Sequence, residues 1–148
     1  MKAPFGKILV PIDGSSYSIK AGEYGISLAK SYGAAVISLF VIDEAAVRSL
    51  ERVAGQDAQT LRRKLHKEGE ACLHSLHQRA SEEGVELIEV VKEGLPHRVI
   101  VDLAQEEGVD LIVIGKVGQR GPRRILIGSV TERVLEAAKC PVLVVRPE

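Results

Sequence analysis

The sequence predicts an α/β protein built on a parallel sheet with helices on both faces. Two observations carry that expectation. Short runs of β-branched and apolar residues alternate with longer amphipathic stretches, and a βαβα order implies parallel strands joined by helical crossovers. At 148 residues the chain suits one domain, residues 1–148. A domain of this size buries roughly 70% of the surface its unfolded chain exposes.

The elements follow in order. Lys7 to Ile12 (KILVPI) reads as the first strand. Ser16 to Ser31 reads as a helix, with Ser15 or Ser16 as its cap and Gly33 as its stop. Ala35 to Ile42 (AVISLFVI) is a second strand. Asp43 to Gln56, rich in charge and alanine, reads as a mobile loop. Asp57 to Glu83 then carries Leu61, Leu65, Cys72, Leu76 and Ala80 at helical spacing. Gly69 interrupts that helix at a cost of about 1 kcal/mol relative to alanine. Val85 to Val91 reads as a third strand by alternation. Pro96 suits the first turn of a helix ending before Gly108. Asp110 to Ile114 is a fourth strand, Ser129 to Lys139 a further helix, and Val142 to Val145 a fifth strand.

Composition narrows the function. Hydrophobic content of 45% and charged content of 27% are ordinary for a soluble globular protein. Basic and acidic residues balance at 20 each, which argues against a nucleic-acid partner. Aromatic residues are scarce and tryptophan is absent, so bases have few stacking platforms. Cys72 and Cys140 form no CxxC or metal-ligand cluster, and two lone thiols suit a reducing compartment. No stretch is long and apolar enough for a leader or a membrane span, so the expectation is a cytoplasmic protein without a membrane partner.

The segment Ile114 to Thr131 (IGKVGQRGPRRILIGSVT) carries most of the functional signal. Its glycines fall as Gly115-x-x-Gly118, then nine residues, then Gly128-Ser129. Glycine lets a backbone approach a ligand closely. A helix starting at Ser129 aims free N–H groups at that loop, which favours an anion such as phosphate. Ligands of open parallel sheets sit beyond the carboxyl ends of the strands. If the first and fourth strands are neighbours, Pro11-Ile12-Asp13-Gly14 and Ile114-Gly115 fall in one crevice, with Val41 on the same rim. The segment is neither a Walker A loop nor a dinucleotide fingerprint, because neither glycine spacing occurs in its required place.

The pattern G-x-x-G-(nine)-G-S followed by VTERVLEAAKCPVLVVRP, together with KILVPIDGS and FVID, resembles the universal stress protein family. The resemblance spans both ends and leaves only Asp43 to about Glu83 without a specific match. It implies a three-layer α/β/α sandwich, Rossmann-like and adenine nucleotide alpha hydrolase-like, with strand order 3-2-1-4-5. Within the family this glycine pattern marks the ATP-binding class. The resemblance implies adenine near Pro11, Asp13 and the backbone of Val41. It puts ribose and phosphates against Ile114, Gly115, Gly118, Gly128, Ser129, Val130 and Thr131. Asp13 would help hold Mg²⁺ or Mn²⁺ through the phosphates, as hard cations prefer oxygen ligands. A homodimer joined through Val142 to Val145 is the family precedent. The implied role is a nucleotide-dependent stress-response or signalling module; the alternatives are a slow ATPase or nucleotidyl-transfer enzyme, and a nucleotide-free dimerisation module.

Several residues have plainer readings. Gly115 and Gly118 also suit a tight turn, and Asp13 before Gly14 suits a turn cap. Ser129-x-x-Glu132 suits a capping box. Where relatives often carry a small polar residue and then histidine or arginine after the first glycine, this chain has Lys116-Val117; only Lys116 can contact phosphate. Pro122 stiffens the loop by restricting Gly121. Arg120, Arg123 and Arg124 suit either a phosphate clamp or a solvated basic loop. His74 and His77 lack a third ligand of matched spacing and suit a helix surface. His66 and His97 carry no signal. Cys140 suits a small buried residue.

Overall fold

A computed structural model describes residues 5–117 and 127–146. Its sheet has five parallel strands in the order β3-β2-β1-β4-β5. They are β1 (Lys7–Pro11), β2 (Ala35–Asp43), β3 (Leu87–Gly94), β4 (Leu111–Gly115) and β5 (Val142–Val145). The helices are α1 (Ser16–Tyr32), α2 (Glu44–Ala54), α3 (Ala58–Glu82), α4 (Pro96–Glu106) and α5 (Ser129–Ala137). Both the α/β sandwich and the strand order agree with the expectation.

The pleat sorts the core into two halves. Ile8 and Val10 of β1 point to one face with Val36, Leu111 and Val113, where Ala21, Ile26 and Ala29 of α1 and Leu73 and Leu76 of α3 cover them. Leu9, Ile37, Leu39, Ile112 and Ile114 point to the other face, under Ile100 and Leu103 of α4 and Val134 of α5. The central strands are therefore apolar on both sides, as a parallel sheet between helical layers demands. Asp110 clips the entry to β1: its Oδ2 accepts the Gly6 N–H at 2.9 Å and the Lys7 N–H at 3.0 Å.

Three local expectations need correction. Residues 44–54 form a helix, not a loop. Asp43 caps it by accepting the Ala45 N–H at 3.0 Å, Gly55 closes it at φ 64°, and Val47 is buried. The third strand begins at Leu87, two residues later than the alternation suggests. Val85 is buried, but its N–H donates to Ala80 O at 2.8 Å, so it finishes the wrap of α3. The long helix α3 runs unbroken through Gly69.

Gly69 marks a close approach. A Cβ there would overlap the ring of Phe40 on β2. The missing side chain lets α3 seat against the sheet, which outweighs its poor helix propensity. Gly69→Ala should therefore destabilise the fold by about 1–3 kcal/mol through overpacking. Urea denaturation checks this, since helix propensity alone would give a gain of about 1 kcal/mol.

Candidate functional site

The carboxyl ends of β1 and β4 lie side by side, with Ile8 opposite Leu111 and Leu9 opposite Ile112. Their chains then part. β1 leads into α1 on one face, and β4 leads toward α5 on the other. A divergence of this kind is where open parallel sheets hold their ligands. β2 supplies the next wall: Pro11 pairs with Leu39, the Ile12 N–H donates to Leu39 O at 2.8 Å, and the continuing register brings Val41 beside Asp13.

The Asp13 turn is tightly tied. Asp13 Oδ1 accepts the Ser15 N–H at 2.9 Å, and the Asp13 N–H donates to Ser18 Oγ at 3.2 Å. Ser15 Oγ caps α1 by accepting the Ser18 N–H at 3.2 Å, and the buried Ser18 hydroxyl donates to Ser15 O at 2.9 Å. Gly14 sits at φ 86°, a left-handed conformation that suits glycine. Asp13 is thus a turn former in this structure, held at the mouth of the crevice and half-buried.

The β4 side is built from Gly115, Lys116, Gly128 and Thr131. Gly115 is buried, and a Cβ on it would come within 3.0 Å of the Tyr17 backbone in the first turn of α1. Its carbonyl accepts the Thr131 hydroxyl at 2.8 Å. Lys116 O accepts the Gly128 N–H at 2.8 Å, and the Lys116 N–H donates to Val145 O at 2.9 Å. Val117 turns inward and is buried. The start of α5 is thereby fixed against the ends of β4 and β5.

The cap of α5 differs from the expected capping box. Gly128 occupies the cap position, and Ser129 is the first helical residue. No side chain among the described residues caps this end, and the first helical bond runs from the Glu132 N–H to Gly128 O at 2.9 Å. The N–H groups of Ser129, Val130 and Thr131 precede that bond and have no hydrogen-bond acceptor among the described residues. The Thr131 hydroxyl is engaged inward, so only its backbone faces outward chemistry. A bare helix start of this kind suits an anion.

The expected contacts therefore split. Pro11, Asp13, Val41, Ile114, Gly115, Gly128, Ser129, Val130 and Thr131 gather along one rim around the ends of β1, β2 and β4. Gly118, Gln119, Arg120, Gly121, Pro122, Arg123 and Arg124 lie outside the described residues.

His97, given no role from sequence, stands in the first turn of α4 on the same rim. Burial lowers its imidazole pKa, and the charges of Arg133 on α5 and Arg98 add to the effect. The readable signal was Pro96, which starts α4 and sets His97 in its first turn. Both thiols are held above their ordinary value, chiefly by burial, with Glu68 and Asp13 adding at Cys72 and Asp110 at Cys140. Neither is a ready nucleophile. His74 and His77 stack on the surface of α3 with ring centroids 6.4 Å apart. Among the described residues, no group of three or more His, Cys, Asp or Glu converges for a metal.

Residues 4 to 146 match the family model described as universal stress protein family. A universal stress protein of Methanocaldococcus jannaschii is 38% identical over 142 residues, covering 96% of this chain and 82% of that one. Universal stress protein YxiE of Bacillus subtilis is 36% identical over 147 residues, covering 96% and 99%. Among solved structures, UspA from Lactobacillus plantarum superposes with a TM-score of 0.85 at 27% identity, covering 96% and 98%. A universal stress protein in complex with cAMP superposes with a TM-score of 0.71 at 26% identity, covering 97% and 98%.

The depressed imidazole gives a test of the rim's electrostatics. Folding binds His97 less readily in its charged form, so stability should fall as pH drops below the ordinary histidine value and recover above it. Arg133→Gln should move the His97 titration, followed by NMR, back toward the ordinary value. An unchanged titration would remove Arg133 from the cluster.

Proposed function

The chain belongs to the universal stress protein family, and we propose that it works as a nucleotide-dependent module that holds ATP or another adenine nucleotide in the crevice between β1 and β4. The carrying observation is the uncapped first turn of α5 set beside the Asp13 turn. Adenine would lie near Pro11, Asp13 and Val41. Ribose and phosphates would run along Ile114, Gly115 and the loop through Gly118 to Gly128, and end on the N–H groups of Ser129, Val130 and Thr131. The relative solved with cAMP supports an adenine nucleotide as the ligand class.

A metal would enter with the phosphates. Among the expected contacts one is a carboxylate, Asp13, whose Oδ1 already holds the Ser15 N–H. That fits Mg²⁺ or Mn²⁺ held mainly by phosphate oxygens and water, since small hard cations keep much of their hydration. Nucleotide would act by favouring one conformation or partner surface, by no more than its differential affinity for the two. No helix among the described residues is long and apolar enough to cross a membrane, and we place the protein in the cytoplasm.

We also propose that β5 joins two copies. It lies at one edge of the sheet, pairs only with β4 among the described strands, and carries an exposed Leu143. An apolar edge of this kind invites pairing.

Two measurements check these proposals. Titration calorimetry of nucleotide-free protein should show saturable ATP binding, with matching thermal stabilisation; no heat and no shift at millimolar ATP, with or without Mg²⁺, would refute the nucleotide role. Ser129→Asp should weaken ATP binding by about tenfold or more while leaving stability equal or higher by about 0.3–1 kcal/mol, because a carboxylate suits a helix start but repels phosphate. For the dimer, light scattering should give twice the chain mass, falling to one chain mass for Leu143→Glu.

A further inference from the structure

The rim carries more positive charge than the proposed ligand contacts account for. Helices α4 and α5 pack against each other on one face of the sheet, and both start at the carboxyl ends of the strands. Neither start has a side-chain cap among the described residues. Pro96 opens α4 without an N–H, and the first helical bond there runs from the Val99 N–H to Leu95 O at 3.0 Å. Two helix dipoles therefore aim their positive ends at the same rim.

Side chains add to that field. Arg133 stands four residues after Ser129 on one flank of α5, and helical side chains lean toward the helix start. His97 is half-buried in the first turn of α4. The charges that act on it are Arg133 from α5 and Arg98 from its own helix, and no carboxylate is among them. Strand β3 adds Lys92, which stands opposite Val41 in the register and so shares its face of the sheet. Strand β2 adds Asp43, whose Oδ1 is taken by the Ala45 N–H in the cap of α2. Arg98, Arg133 and Lys92 have no ion-pair partner among the described residues. Two helices and a strand thus bring three unpaired cations and one imidazole to a single rim.

Like charges at this spacing oppose the charging of His97. A bound polyanion reverses that: it offsets the arginines and favours the imidazolium. We propose that His97 and Arg133 make the nucleotide crevice proton-linked, so that phosphate is held more tightly once His97 carries a proton. The inference rests on the nucleotide reading above and adds its regulation. Its sign follows from linkage. Binding that favours the charged imidazole takes up a proton, so affinity rises as pH falls. The uncharged base and ribose take no part in this coupling.

NMR of the full chain tests this by following the His97 imidazole from about pH 8 to about pH 5.5. ATP should move its titration to higher pH, and adenosine, which lacks the phosphates, should not. Calorimetry over the same range should show ATP affinity rising about threefold or more beyond the rise in His97→Asn. That variant subtracts the proton gained by the phosphate itself. Arg133→Gln should weaken ATP binding by a similar factor, and Arg133→Lys should preserve it. An unmoved His97 titration with ATP bound would overturn the proposal. So would an equal shift with adenosine, one pH profile shared by the wild type and His97→Asn, or unchanged ATP affinity in Arg133→Gln. Failure of ATP to bind at any pH would refute the nucleotide reading, and this inference with it.

Discussion

Gly115 is the point on which both sides of the crevice close. On one side its missing Cβ lets the Tyr17 backbone seat α1 against the end of β4. On the other its carbonyl takes the Thr131 hydroxyl, which sets the first turn of α5. A buried hydrogen bond of this kind contributes about 0.5–1.5 kcal/mol net. Its larger effect is positional: it fixes where three N–H groups without an acceptor among the described residues point. The Gly128 to Lys116 backbone bond holds the same turn from its other end. The seating of α1 and the start of α5 therefore meet at one small residue at a strand terminus.

Two features that read as ligand chemistry in the sequence have structural roles. Gly115 serves helix packing, and Asp13 ties its own turn to Ser15. Neither role competes with a nucleotide, because a preorganised rim binds at lower entropic cost than one that must first order itself. Thr131 is different, since its hydroxyl is turned inward and leaves only the backbone for a ligand. Gly128, by contrast, gains importance. A glycine cap supplies no side-chain oxygen to the helix start.

The central strands were legible because their residues are apolar on both faces; Ile8, Leu9 and Val10 have no exposed surface at all. Periodicity did not reveal their order, which came from the resemblance carried by the glycine spacing. Helix α2 was missed because its charge and alanine content read as a loop, although Val47, Leu50 and Ala54 recur at helical spacing. Its Asp43 and Gly55 caps were the signal available. Val85 misled for the opposite reason: it is buried like a strand residue but ends a helical wrap. At α5, Gly128 and Ser129 both suit a cap, and only the backbone shows that the helix takes the glycine. The His97–Arg133 proximity joins two helices and has no local trace in the sequence.

The most direct measurement is a crystal structure of the protein grown with ATP and Mg²⁺. The account requires the adenine between Asp13 and Val41, and phosphate oxygens within hydrogen-bond distance of the Ser129 and Val130 N–H groups. A nucleotide bound elsewhere, or a crevice at Gly115 filled by the protein's own side chains, would contradict it.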